Sequence, residues 1–337
     1  MSDTTALVTG ASGYVGGLLV PRLLQEGYAV RVLTRSADHL PSEWADDVEV
    51  VEGDATERTD LDRALNGVDV AYYLIHSMDG EGDFVERDRE LAQDFGAAAR
   101  DAGVTRLVYL SGLHPDGELS EHLASRVEVG RILLASGVPT AVLQAATIIG
   151  DGSASFDMLR YLTARLPVMV APRWIENEIQ PIAIDDVLHY LVRAAQLPGD
   201  VNRTFDIGGP DVLTFRSMMQ QFAQETGLRR RVIVGVPALT PWLASQWVGL
   251  VTPVDAGVAK PLVGSLIHTV VRREHDLEAL VGEPEGGPTP YREAVRRAMV
   301  GQEPDPRHAT PLALGALTTA ALAGLVVAAG RSARLRR

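Results

Sequence analysis

Cysteine is absent from this 337-residue chain, which excludes disulfides, thiolate nucleophiles, iron–sulfur clusters and Cys-ligated zinc together. Lysine is nearly absent as well: Lys260 is the single one among 31 basic residues. Any chemistry that needs a lysine therefore has one candidate. Acidic residues outnumber basic ones 44 to 31, and the net charge of −13 argues against a surface that neutralises phosphate backbones, so nucleic acid is not an expected partner. Met1 to Thr5 lack a charged region leading into a long apolar stretch, so no secretory signal is expected. No HExxH, Asp-rich loop or other metal-ligand spacing occurs, and no metal is expected. What is present, 46% hydrophobic and 22% charged residues, places the chain in the ordinary globular range, with length for about two domains.

From Ala6 to Gly150 short β-branched or apolar runs alternate with longer helical patterns, the signature of βαβ units on a doubly wound parallel sheet. The predicted strands are Thr5 to Val8, Ala29 to Thr34, Val48 to Glu52, Val70 to Ile75, Arg106 to Ser111 and Ala141 to Ile149. After Gly150 prolines interrupt the rhythm, and only Pro181 to Ile184 and Thr204 to Ile207 read as further strands. The expected organisation is an α/β Rossmann domain over 1–150, a smaller mixed cap over 151–300, and a Pro-rich linker over 301–311.

Beyond the linker, Leu312 to Ala329 carries no charge and is closed by Arg331, Arg334, Arg336 and Arg337. Eighteen helical residues reach about 27 Å, so 312–330 is expected to be a transmembrane helix, with 331–337 a basic tail against anionic lipid. This predicts a membrane-associated protein whose main body lies in the cytoplasm, a cytoplasmic chain being the alternative. Val232 to Val254 is a second uncharged stretch, but Pro237, Pro241 and Pro253 break it, and it reads as cap core.

The first strand runs into Thr9-Gly10-Ala11-Ser12-Gly13-Tyr14-Val15-Gly16 and then an apolar helical run. Gly10 allows the tight strand-to-helix turn, Gly13 lets backbone approach a diphosphate, and Gly16 permits close helix packing, while the helix N-terminus meets the negative charge. At the first βα turn this pattern predicts a dinucleotide site formed by Gly10, Ser12, Gly13, Tyr14, Val15 and Gly16. At the end of the second strand, where an NAD site would carry Asp or Glu, the chain has Arg35, which offers a planar cation to a 2′-phosphate; NADP(H) is favoured, and Asp38 nearby leaves NAD(H) open. Asp54 and Ala55, past the third strand, are candidates for the adenine, a turn aspartate being the alternative.

With TGASGYVG at the start, GDAT after the third strand and LVYLSGL on the fifth, residues 5 to 300 resemble the extended-like short-chain dehydrogenase/reductase superfamily. That family normally uses Tyr-x-x-x-Lys, but Ala256 stands four residues before Lys260, so the dyad does not exist here. At its place stands His122-Leu-Ala-Ser-Arg126. This HxxxR, with AYYLIHSM earlier and PRWIENEIQPIAIDDVLHYLV later, resembles an atypical subgroup (NmrA-like proteins) in which the basic pair is thought to replace Tyr and Lys. Spacing i, i+4 puts both on one helix face. A histidine near its ordinary pKa exchanges protons unaided, and a fixed guanidinium holds an oxyanion or the nicotinamide ribose; a solvated charged face beside Glu118, Glu121 and Glu128 is the competing explanation. By the same resemblance Ser111 matches a substrate-binding serine, Leu74 and Ile75 fall where the backbone passes the coenzyme, and His76 is a further proton-donor candidate. Gln144 departs from the arginine common there.

The expected function is an NADP(H)-dependent oxidoreductase acting on a lipophilic carbonyl, enal or quinone. A nucleotide-binding sensor or assembly protein without chemistry, and an epimerase or dehydratase with tightly held coenzyme, are the alternatives.

Overall fold

The computed structural model describes residues 4–75, 84–115, 119–236, 252 and 267–304. Along the first half β1 (Thr5–Thr9), α1 (Tyr14–Gln25), β2 (Ala29–Thr34), β3 (Glu49–Glu52), α2 (Arg58–Leu65), β4 (Val70–Tyr73), α3 (Phe84–Asp101), β5 (Arg106–Gly112), α4 (Glu121–Leu134) and β6 (Thr140–Ala145) follow one another. The second half contains β7 (Ile148–Ile149), α5 (Ala154–Arg165), β8 (Val168–Pro172), β9 (Glu178–Ile179), β10 (Ile182–Ala183), α6 (Ile184–Ala194), β11 (Arg203–Ile207), β12 (Leu213–Thr214), α7 (Phe215–Glu225), β13 (Val232–Val236), α8 (Asp276–Val281) and α9 (Tyr291–Ala298).

Seven parallel strands form the main sheet in the order β11-β6-β5-β4-β1-β2-β3. Leu7, Val8, Tyr72, Leu107 and Val108 are all buried, because helices cover both faces. On one face α1 and α6 pack Leu19, Leu23, Val187 and Leu191 against Val8, Tyr72 and Phe205. On the other, α2, α3 and α4 bring Leu61, Phe95 and Leu133 onto Leu7, Tyr73 and Tyr109. Strand order reverses between β1 and β4, and the crevice at that switch point is where ligands bind in open α/β sheets.

Two local choices shape that crevice. Thr9, buried at the end of β1, donates to the Tyr72 carbonyl at 2.9 Å and accepts from the Leu74 amide at 3.2 Å, locking the exits of β1 and β4 together. Pro21 lies inside α1 and has no N–H for the Gly17 carbonyl; the Trp44 indole donates to that oxygen instead, at 3.2 Å.

The chain beyond residue 150 is divided between two cores. Arg203–Ile207, which the sequence reading placed with the cap, pairs with β6 as the seventh strand of the main sheet. Arg106, 2% exposed, holds it there: the guanidinium donates to the carbonyls of Leu197, Pro198 and Val201 in the segment that leads into β11. A second core gathers Phe156, Leu159, Met169, Met218, Phe222 and Tyr291 from α5, β8, α7 and α9. The strand predicted over Ala141 to Ile149 is two: β6 ends at Ala145, and β7 leaves the sheet to pair with β10.

Among the described residues no helix is long and apolar enough to cross a membrane. The expected span at 312–330 and the basic tail lie outside the described residues, as do His76, Lys260 and all of the uncharged stretch after Val236 except Thr252.

Candidate active site

The glycine loop is built by close backbone contacts. Gly10 has a φ of 71°, a left-handed value, and a Cβ there would lie 2.7 Å from the Leu74 carbonyl oxygen. The Gly13 amide donates to the Gly10 carbonyl at 3.0 Å, and a Cβ on Gly16 would lie 2.2 Å from that same oxygen. The loop thus folds back onto the first turn of α1, which contains no acidic residue and whose N-cap, Gly13, supplies no capping side chain. The amides opening α1 are left to an external anion, and the cradle fits a dinucleotide diphosphate.

Tyr14, the first residue of α1, reaches across to the loop after β7, where a Cβ on Gly150 would meet its hydroxyl. Its hydroxyl oxygen is buried without a hydrogen-bond partner. Burial, with Asp151, Asp157 and Asp185 nearby, raises its pKa far above the ordinary phenol value and keeps it protonated.

The basic pair stands on the opposite wall. Ser120 caps α4 by accepting from the Leu123 amide at 3.3 Å, which places His122 in the first turn and Arg126 one turn on. Arg126 is stitched to the end of β5: its Nη2 donates to the Leu110 carbonyl at 3.2 Å, and its own carbonyl accepts from Tyr109 and Ser111 hydroxyls at 3.3 and 3.4 Å. Among the described residues no carboxylate lies within ion-pairing distance of its guanidinium, whereas Glu128, on the outer side of the same helix, pairs with Arg89. The solvated-face explanation therefore suits Glu128 and not Arg126.

Burial first, then the positive Arg126, lower the His122 pKa to about 4, with Asp88 opposing them. At neutral pH the imidazole is uncharged, which corrects the expectation of a histidine near its ordinary pKa. From α3, Phe84 sets its ring 6.2 Å from the His122 ring, and buried Asp88 accepts from Ser125 at 3.2 Å.

A cavity of about 270 Å³ is lined by Gly10, Gly13, Tyr14, Val15, Gly16 and Leu74 on one side and Ser111, His122 and Arg126 on the other. The NAD(P)H-binding family model matches residues 10–148. A Streptomyces griseus (4-alkanoyl-5-oxo-2,5-dihydrofuran-3-yl)methyl phosphate reductase is 33% identical over 230 residues, covering 66% of this chain and 73% of that protein. The Caulobacter vibrioides ceramide reductase is 30% identical over 238 residues, covering 67% and 72%. The chain belongs to the NAD(P)H-binding family of the short-chain dehydrogenase/reductase type. Its fold is also that of the Citrobacter triphenylmethane reductase complexed with NADP(H), with a TM-score of 0.68 at 20% identity over 87% of this chain and 99% of that one. A nicotinamide coenzyme and a reductase-like family follow from these matches.

Within this reductase fold the remaining predicted positions do not line the cavity. Ser12 and Arg35 are exposed; Arg35 follows β2, one strand from β1 along the sheet's carboxyl edge. Asp54 has one carboxylate oxygen engaged by the Thr56 amide and hydroxyl at 3.0 and 2.9 Å, the turn role weighed in the sequence. Ala55 and Ile75 pack against the core on the α2–α3 face. Asp186 is buried and accepts from the Thr289 amide and hydroxyl at 2.7 and 2.9 Å, so it ties α6 to the segment before α9. Sequence reading missed the far wall, where Ile179 and Val270 face the cavity through a single β-bridge. No local pattern marks two residues so far apart in the chain as neighbours.

Proposed function

We propose that the protein is an NADP(H)-dependent reductase of lipophilic carbonyls or activated alkenes, enals and quinones included. The observation that carries this reading is that the glycine cradle, Ser111 and the uncharged imidazole beside Arg126, which has no carboxylate partner among the described residues, line one cavity. The two reductase relatives support it, since the names of both refer to molecules with an apolar chain, a ceramide and an alkanoyl-bearing unsaturated lactone phosphate. Arg35 supports the 2′-phosphate form of the coenzyme. Bound and reduced, the coenzyme supplies the hydride to substrate carbon.

Negative charge then gathers on the substrate oxygen, as an alkoxide from a carbonyl or an enolate from an enone. Arg126 offsets that charge as a fixed cation in a partly desolvated place. His122 gives its N–H proton to the oxygen and recovers one from solvent; the positive field that makes its imidazolium hard to form also makes the neutral ring a better acid. Ser111 donates a hydrogen bond to the same oxygen after leaving the Arg126 carbonyl. The products are oxidised coenzyme and either the alcohol or an enol, which tautomerises in water to the saturated carbonyl by losing the oxygen proton and gaining one at the α-carbon.

NADPH consumption against a panel of enals, quinones and long-chain ketones tests this. His122→Asn should keep NADPH affinity and lose turnover by about a hundredfold. Binding without consumption by any panel member would favour the sensor reading, and wild-type turnover in His122→Asn would remove His122 from the mechanism. The uncharged run Leu312 to Ala329 supports holding the chain at a membrane; detergent-free fractionation of the full chain beside one shortened after residue 304 reads that directly.

A further inference from the structure

A second cavity, of about 300 Å³, shares Ser111 and Arg126 with the coenzyme cavity and runs along α4 to β6 and the edge strand β11. Its volume is at the lower end of small-molecule sites. Gln144 on β6 faces it, 4% exposed, and its amide makes no hydrogen bond among the described residues. A buried amide with two donors and an acceptor normally has partners. Arg126 contributes a guanidinium with one bond to a carbonyl, an Nε that is buried without an acceptor, and no ion pair among the described residues.

The acids on the far wall are already occupied. Asp206 accepts from the Arg273 amide at 2.9 Å with that guanidinium 3.5 Å away, and Glu274 accepts from the Asp206 and Asp276 amides at 2.6 and 2.5 Å. Between them Val127, Leu134 and Val142 form an apolar floor, the first two spaced seven residues along α4, or about 10 Å.

We infer that this cavity binds a small amphiphile whose anionic head, a carboxylate or a phosphate, sits among Arg126, Gln144 and Ser111, with its short alkyl tail along Val127, Leu134 and Val142. The head gives partners to the Gln144 amide, which has none among the described residues, and to a guanidinium with one carbonyl partner there, and the tail covers half-buried Val127 and Leu134 beside Val142. Arg126 is common to both cavities, so an anion there also offsets the positive field on His122. The inference requires only binding and does not depend on the reductase reading.

Calorimetric titration of octanoate and of octyl phosphate into the full-length protein saturated with NADPH provides the test. One site per chain is expected for at least one of the two amphiphiles, and which one binds identifies the head group. Gln144→Glu places a like charge beside the head and should weaken binding by at least about tenfold, and Leu134→Glu, at the tail, by a similar factor. NADPH affinity within about twofold of wild type in both variants reports an intact coenzyme cavity. No heat with either amphiphile, an affinity that neither variant changes, or competition with NADPH would each overturn the inference.

Discussion

Gly16 and Gly17 are adjacent in sequence and opposite in their tolerance of a methyl group. A Cβ on Gly16 would lie 2.2 Å from the Gly10 carbonyl oxygen, 2.8 Å from the Gly10 carbonyl carbon and 3.0 Å from the Ala11 Cα. All three are backbone atoms, so relief requires the loop to move off the helix by on the order of 1 Å, and such overpacking costs about 1–3 kcal/mol. The moved loop is the one whose amides, in the proposed reading, meet the diphosphate. Gly16→Ala should therefore raise the NADPH Kd by about ten- to a hundredfold, at 1.4 kcal/mol per factor of ten. A Cβ on Gly17 meets only the Ala11 carbonyl oxygen at 3.4 Å and Pro41 at 3.9 Å, ordinary contacts. Gly17→Ala should leave the Kd within about twofold and gain roughly 0.5–1 kcal/mol from the helix preference of alanine, a rise in Tm of a few degrees at most. Fluorescence titration with NADPH and thermal melts of both variants decide the matter. Equal binding by Gly16→Ala and wild type, or equal damage from both substitutions, would refute the assignment of this loop to the diphosphate.

Arg35→Ala should weaken NADPH by about tenfold and leave NADH nearly unchanged, as loss of one charge-assisted contact at an exposed site predicts; equal affinities for the two coenzymes in the wild type would remove the 2′-phosphate role. His122 is held neutral by a folded-state pKa of about 4 against an ordinary 6.5. A depressed folded pKa confers stability that is present above the unfolded value and lost as pH falls from 6.5 through 4. Wild type should therefore lose about 1–2 kcal/mol more than His122→Asn across that window, after allowance for partial exposure; parallel urea midpoints from pH 7 to about 4.5 would contradict this. Arg106→Met keeps the packing and strands three carbonyls, so unfolding free energy should drop by about 2–4 kcal/mol in urea melts; a drop below about 1 kcal/mol would deny that this arginine fastens β11 to the sheet.

The first half of the fold was legible because its signals are local. An apolar run, a glycine turn and a helical pattern lie within about 25 residues of one another in each βα unit, and the parallel sheet follows from their alternation. The same holds for the coenzyme loop: Gly10, Gly13 and Gly16 touch one another, so their spacing carries their geometry. The pairing of His122 with Arg126 needed only the helix period and the Ser120 cap. Asp54 could not be assigned from local pattern, because a turn aspartate and an adenine contact have the same residues around them.

Position along the chain alone determined the alternating α/β order, the glycine-rich first βα turn and the absence of a Tyr-x-x-x-Lys pair. Tertiary structure decided the rest. It returned Arg203–Ile207 to the main sheet, turned Arg126 inward to Leu110 while Glu128 took the solvent side with Arg89, and lowered His122 by burial. It also left the Gln144 amide facing a cavity. Each of these depends on which distant segments exclude water from a side chain. That exclusion sets charge state and hydrogen-bonding demand, and neighbours in sequence do not specify it.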